Sequence, residues 1–198
     1  MTHAALSAAP PDTVALQLRE KDLDARALLE LARQMRVICD RYRARLLVND
    51  RIDVAIASRA AGVHLPANSF AVADSRALLG NDRLVGVSTH DPAEVVIAAD
   101  AGANFVVYGP VYDPVSKDSY TGARGAEGLN AACDAASIPV FALGGINATR
   151  VRELRTQMAT ANPLEPGKRP AGVAVIGAIY GVPDPAAAMR DLVNALAS

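Results

Sequence analysis

Apolar residues along this chain gather in seven short, nearly continuous runs, with longer stretches of helical period between them. The runs are VALQLRE (14–20), RLLVND (45–50), GVHL (62–65), RLVGVST (83–89), NFVVYGPV (104–111), PVFALGG (139–145) and GVAVIGAI (172–179). They are rich in Val, Leu and Ile and do not alternate cleanly between apolar and polar residues. Strands have this character when both faces are covered, as in a parallel sheet. Between them, DARALLELARQMRVICDRY spaces Leu28, Leu31, Met35, Ile38 and Tyr42 by three and four, which predicts an amphipathic helix. DPAEVVIAADAGA predicts another, with Asp91 as N-cap and Pro92 at the first helical position, and DPAAAMRDLVNALA (184–197) repeats that opening with Asp184 and Pro185.

Strands alternating with helices predict an α/β fold. A TIM (β/α)8-type barrel needs eight such units, and this chain supplies seven, with the deficit at the front. Residues 1–13 are small, proline-rich and too short for a strand and a full helix, although HAALSAAPPDT suits a helix fragment leading into the strand at Val14. The expectation is therefore one domain over residues 1–198: a TIM barrel entered after its first β-strand, with a surface insertion at 159–171. A doubly wound open sheet is the alternative, but GxGxxG and GxxxxGK[ST] nucleotide loops are absent.

Composition narrows the partners. At 198 residues, 51% of them hydrophobic and 21% charged, the chain is long enough for one full core. A net charge of −1 gives no general attraction to nucleic acid or an anionic membrane. No apolar run approaches the roughly 18 residues a membrane span needs. The first residues lack the charged and apolar segments of a signal peptide, so a cytoplasmic location is expected. Cys39 and Cys133 lie far apart in helical stretches and read as two reduced core thiols, not a metal site or a disulfide.

Polar residues collect at the ends of the predicted strands, which in a barrel converge on one face. If the first strand runs to its full length, Gln17, Arg19 and Lys21 share its inward side, and two inward cations call for an anion; a surface pairing with Glu20 and Asp22 is the plainer reading. Asn49 and Asp50 end the second strand, as a phosphate or metal contact or as a turn cap. Ser88, Thr89 and His90 end the fourth. His90 is the natural acid–base candidate, against the plainer reading of a hydrogen-bonded turn residue. His64, inside an apolar run, reads as a satisfied core residue. The loop GPVYDPVSKDSYTGARG brings Ser116, Lys117 and Arg124. Gly144 and Gly145, and Ile176 with Gly177 in VIGAI, leave backbone N–H groups bare where helices begin, which suits phosphate, unless these glycines serve close packing alone.

Taken in order, QLREKD, LLVND, GVHL, GVSTH, GPVYDPVSK, ALGGI and VAVIGAI resemble the thiamine phosphate synthase/TenI family from about Val14 to the C-terminus. The resemblance implies a TIM barrel that joins hydroxymethylpyrimidine diphosphate to a thiazole phosphate and releases diphosphate. It implies that Arg19, Lys21, Asn49, Ser116 and Lys117 hold the diphosphate, that Ser88 lies near the pyrimidine, and that Gln17 fills the position before the arginine. The thiazole phosphate falls on the glycine ends at Gly145 and Gly177. Magnesium is held in that family by two aspartates, and Asp50 matches the first.

Three departures pull toward the other branch. Where the family carries an HLGQED-like segment, this chain has HLPANSF, so Ser69 takes the place of the second aspartate. PTxTK becomes DPVSK, with Pro114 and Ser116 in place of the threonines. LPxxSF and the Arg-Gly of GARG look more like TenI-type thiazole tautomerases, which share the barrel, use no metal and have a histidine at the position of His90. A synthase, a tautomerase acting on a carboxythiazole phosphate, and a non-catalytic binder of thiazole or thiamine phosphate are the three readings that follow. Each takes small phosphorylated heterocycles, and an open barrel edge calls for a covering partner such as a second copy of the chain.

Overall fold

The computed structural model describes residues 1–113, 122–161 and 169–197. A short helix α1 (Thr2–Ser7) precedes strand β1 (Ala15–Leu18). Then follow α2 (Ala25–Arg41), β2 (Arg45–Asn49), α3 (Ile52–Ala57), β3 (Gly62–Leu65), α4 (Val72–Leu79), β4 (Leu84–Thr89), α5 (Pro92–Asp100), β5 (Phe105–Tyr108), α6 (Gly125–Ala135), β6 (Val140–Leu143), α7 (Ala148–Ala161), β7 (Gly172–Ala174), α8 (Gly177–Tyr180) and α9 (Pro185–Ala197). All strand pairs are parallel and the sheet runs β1 to β7 in chain order. The seven strands form a curled, TIM-like α/β sheet; among the described residues β1 pairs only with β2 and β7 only with β6.

Side chains alternate between the two faces of each strand. Leu46, Val48, Val63, Leu65, Val85, Val106, Tyr108, Val140 and Ala142 are buried on the outer face, under the helices. The inner face carries Gln17, Asn49, His64, Ser88, Phe105 and Phe141, linked across strands by the contacts that follow. Gln17 on β1 reaches His64 on β3. Strands two apart are separated by nearly 10 Å in a flat sheet, so this bond reports the curl. Toward the N-terminal ends of the strands the inner space is filled by two rings. Phe105 packs over Gly86, where a Cβ would lie 2.1 Å from its Cζ. Phe141 meets Phe105 edge-on at 5.6 Å.

The outer layer includes the helix that precedes β1. α1 packs on α9; its Ala5 joins the core around α6, α7 and α9, and its Leu6 joins the core around α2 and α3. Thr2 hydrogen-bonds with Tyr180 and His3 with Tyr42, both at 3.3 Å, so α1 bridges the two ends of the chain's helical layer. The helix starts expected at Asp91 and Asp184 are present, and Asp24 caps a third helix. Asp24 Oδ1 accepts from Ala27 N–H, Asp91 Oδ1 from Glu94 N–H, and Asp184 Oδ1 from the N–H groups of Ala186 and Ala187. Both cysteines are buried, and burial pushes their thiols up to about 11 at Cys39 and about 12 at Cys133.

Several expected boundaries are corrected. β1 stops at Leu18, because an edge strand has one neighbour to hold it and the chain then bends toward the Asp24 cap. Arg19 and Lys21 therefore lie beyond the strand, exposed, and alternation places only Gln17 on the inner face. β7 stops at Ala174 rather than running to Ile179. The carbonyl of Ile176 accepts from the N–H groups of Ile179 and Tyr180, which commits this stretch to the turn of α8. α7 continues through Ala161, so the segment expected as an insertion from 159 begins as helix, and its residues 162–168 lie outside the described set.

Candidate active site

Four groups of side chains stand at or just past the C-terminal ends of the strands. The first joins four strands on the inner face. Gln17 Nε2 donates to Asn49 Oδ1 at 2.8 Å and to His64 Nδ1 at 3.1 Å, and His64 Nε2 lies 3.4 Å from Ser88 Oγ. The register puts Asn49 beside His64 and His64 beside Gly86, so the ring is flanked by a short polar chain and by a position with no side chain. Its face stacks on Phe105 at 6.4 Å. His64 is only 5% exposed, and burial pulls its pKa down to about 4, so the ring is neutral near pH 7.

The second group is Asp50 with Ser69. Asp50 adopts a left-handed backbone with φ 63, and its N–H donates to the carbonyl of His64 at 3.0 Å. Ser69, held in a turn by its N–H on the carbonyl of Pro66, donates its hydroxyl to Asp50 Oδ1. Next to them Arg51 forms a two-pronged bond to Asp53, and the bonds from Arg51 hold the Asp53 carboxyl below its ordinary value.

The third group is built on the N-terminus of α5. Asp91 caps the helix, and Glu94 reaches back to accept the His90 N–H at 2.5 Å, a reciprocal arrangement that fixes the residue before the cap. His90 Nδ1 lies 2.6 Å from the carbonyl oxygen of Gly109. A carbonyl accepts only, so Nδ1 carries the hydrogen, and the neutral ring keeps Nε2 as an acceptor.

The fourth group surrounds the glycine turn after β6. Gly144 and Gly145 have φ of 103 and 59. A Cβ on Gly144 would stand 2.6 Å from Pro110, and one on Gly145 would stand 2.4 Å from Arg150 Nη1. Both positions demand glycine. Arg150 donates from Nη1 to the carbonyl of Gly145 at 2.6 Å and lays its guanidinium 4.8 Å from the centre of the Tyr112 ring. Burial pushes the Tyr112 hydroxyl above its ordinary value in spite of that cation, and it stays protonated.

The structure thus brings Gln17, Asn49 and Ser88 into one bonded set, with Asp50 and His90 as the next residues along β2 and β4. Among the described residues, no hydrogen bond ties Arg19 or Lys21 to that set. Ile176 is 70% exposed, and Gly177 opens α8 after β7. Ser116 and Lys117 lie outside the described residues. His64 was expected as a core residue. It is buried and bonded, but on the inner face among the polar residues, and its alternation with Gly62 was the signal for that side. Arg150 and Tyr112 carried no sequence signal, since their pairing joins the first turn of α7 to the segment after β5.

A sequence model described as thiamine monophosphate synthase matches residues 2–179. The chain belongs to this family. It is 46% identical over 181 residues to a putative thiamine-phosphate synthase of Geobacter sulfurreducens, covering 91% of this chain and 80% of that one. It is 38% identical over 196 residues to the thiamine-phosphate synthase of Salinispora tropica, covering 99% of this chain and 89% of that one. The thiamine phosphate pyrophosphorylase structure from Pyrococcus furiosus superimposes with a TM-score of 0.83 at 27% identity, over 99% of this chain and 87% of that one.

Among the described residues, this chain's donor set for a cation is lean. Among the described residues no three His, Cys, Asp or Glu side chains gather in a metal-holding group. Asp50 brings a carboxylate at the strand end, and Ser69 adds a neutral hydroxyl on one of its oxygens. That set fits an ion bound mainly by substrate phosphates, the habit of magnesium. It does not fit an ion caged by protein alone. No described helix is long and apolar enough to cross a membrane.

Proposed function

We propose that this chain couples hydroxymethylpyrimidine diphosphate with a thiazole phosphate, forming thiamine phosphate and releasing diphosphate. The observation that carries this reading is the set of Gln17, Asn49 and Ser88, linked through His64 and drawn from four strands onto one inner face beside Asp50. In the reaction the C–O bond to the diphosphate breaks with its electron pair leaving on oxygen. The thiazole nitrogen then forms the new C–N bond to the pyrimidine methylene. The protein's part is to hold the leaving charge and align the nitrogen. Asn49, with Arg19, Lys21, Ser116 and Lys117, is assigned to the diphosphate, and Ser88 to the pyrimidine side. Gly144, Gly145, Ile176 and Gly177 are assigned to the thiazole phosphate. Asp50, with Ser69 alongside, would hold magnesium, which when bound would supply positive charge to the diphosphate. The test is formation of thiamine phosphate from both substrates with magnesium. No product at saturating substrate would overturn the reading, and Lys117→Ala should slow it sharply.

A second reading rests on His90. Its Nδ1–H is tied to Gly109, leaving Nε2 as a fixed acceptor, the arrangement a TenI-type tautomerase needs to move a proton on a carboxythiazole phosphate. His90→Ala should then abolish solvent deuterium exchange into that substrate; unchanged exchange rejects it. Turnover in either assay excludes a purely binding role. We also assign a cytoplasmic location, and a second copy of the chain against the β1 and β7 edges. Sedimentation that gives a monomer across the micromolar range would remove the homodimer.

A further inference from the structure

Gln17, Asn49 and Ser88 each have both a donor and an acceptor to offer. Which of the two meets the substrate depends on how the three are bonded to one another. We propose that His64 is the positioning residue that decides this. Its neutral ring, held as the Nε2–H tautomer, fixes the direction of every hydrogen bond in the cluster.

The amide nitrogen of Gln17 has two hydrogens. One is directed at Asn49 Oδ1 and the other at His64 Nδ1. An incoming N–H requires a lone pair on Nδ1, and a neutral imidazole then carries its hydrogen on Nε2. Nε2 faces Ser88 Oγ, which becomes the acceptor and keeps its own hydrogen for another partner. Asn49, accepting through Oδ1, has its NH2 group left. Gln17 has Oε1 left. The cluster therefore turns donors from Asn49 and Ser88 toward the inner space, the polarity that anionic oxygens require.

The opposite tautomer would reverse the set. A hydrogen on Nδ1 would meet the Gln17 NH2, two donors face to face. Relief requires the Gln17 amide to flip, and its oxygen at that position would then force Asn49 to flip as well. Asn49 would present Oδ1 to a phosphate, which repels it. A doubly protonated ring has the same conflict at Nδ1 and is further opposed by burial against Phe105. The chain has three histidines. His90, fixed as Nδ1–H by Gly109, and His64, fixed as Nε2–H, are thus held in opposite tautomers on neighbouring strand ends.

The kinetic consequence rests on the synthase reading; the tautomer does not. Long-range 1H–15N spectra of the 15N-labelled full chain at pH 7.5 should show His64 with Nε2 protonated and Nδ1 bare, its signals assigned by their loss in His64→Asn. The Nδ1–H form at His64 would overturn the proposal. Gln17→Met, a change at an exposed edge position that spares the core, should release the preference and give a tautomer mixture; an unchanged spectrum would also overturn it. In the coupling assay, His64→Phe should raise KM for the pyrimidine diphosphate about tenfold and move KM for the thiazole phosphate by less than about twofold. His64→Asn, whose side-chain oxygen can accept from Gln17, should recover most of that loss. Equal changes in both KM values, or no recovery, would reduce His64 to a structural residue. A wild-type chain without coupling activity overturns the synthase reading and leaves the spectra to decide the tautomer.

Discussion

Ser69 donates its hydroxyl hydrogen to Asp50 Oδ1, which ties the loop after β3 to the residue that follows β2. Ser69 stands where the family resemblance puts a second aspartate. A hydroxyl there quiets the Asp50 carboxylate, whereas a second carboxylate would repel it and share a cation with it. Restoring the acid separates these effects. Ser69→Asp should lower the magnesium concentration for half-maximal activity about tenfold, because a second carboxylate replaces a neutral donor. Without metal the same variant should be less stable by about 1 kcal/mol. Magnesium titrations and urea melts with and without the ion check both; unchanged magnesium dependence would remove Asp50 and Ser69 from the metal site.

Arg150 holds the glycine turn from outside by bonding Gly145 and stacking on Tyr112. Arg150→Ala should loosen that turn and raise KM for the thiazole phosphate about tenfold, the loss of one charged hydrogen bond. KM for the pyrimidine diphosphate should stay put. Arg150→Lys should recover little, since an ammonium lacks the flat face that stacks on Tyr112. Steady-state kinetics with each substrate varied in turn would show whether the effect is confined to one side.

The floor of the inner face depends on one missing side chain. In Gly86→Ala the new methyl meets the Phe105 ring, which is side chain and can move, so the expected loss is about 1–3 kcal/mol and not a failure to fold. Phe105→Leu in the same chain should return a good part of it. A double-mutant cycle by urea denaturation that gives strict additivity would mean the two positions do not share this space.

His64 links stability to pH. Its folded pKa, about 4, lies below the ordinary 6.5, so between these values the unfolded chain binds a proton that the folded chain refuses. The stabilisation is complete above pH 6.5 and fades as pH falls toward 4, by up to about 3 kcal/mol. His64→Asn should flatten that part of the curve. Urea unfolding at half-unit steps from pH 7.5 to 4.5 for both proteins isolates it; parallel curves would show that His64 is not the group responsible.

Much of this architecture was legible in the chain itself. Runs such as RLLVN and GVHL are apolar on both sides, and only a strand covered on both faces tolerates that, so the parallel sheet followed from pattern. Asp91 and Asp184 marked helix starts because a carboxylate one residue ahead of a helix meets its free N–H groups. The strand ends named most of the residues that now sit together. The shortening of β1 and β7 was not legible. Ladder partners and a helical turn set it, and propensity at Arg19 or Ile176 does not report on either.

The sequence by itself determined the order of strands and helices, the glycines at 144 and 145, and the family. All of these depend on residue type and spacing along one segment. The tertiary structure decided what Gln17, Asn49, His64 and Ser88 are to each other. They are separated by up to 71 positions, and they meet because the sheet curls and its register sets them side by side. The direction of a hydrogen bond, unlike the identity of a residue, exists only once both partners are in place.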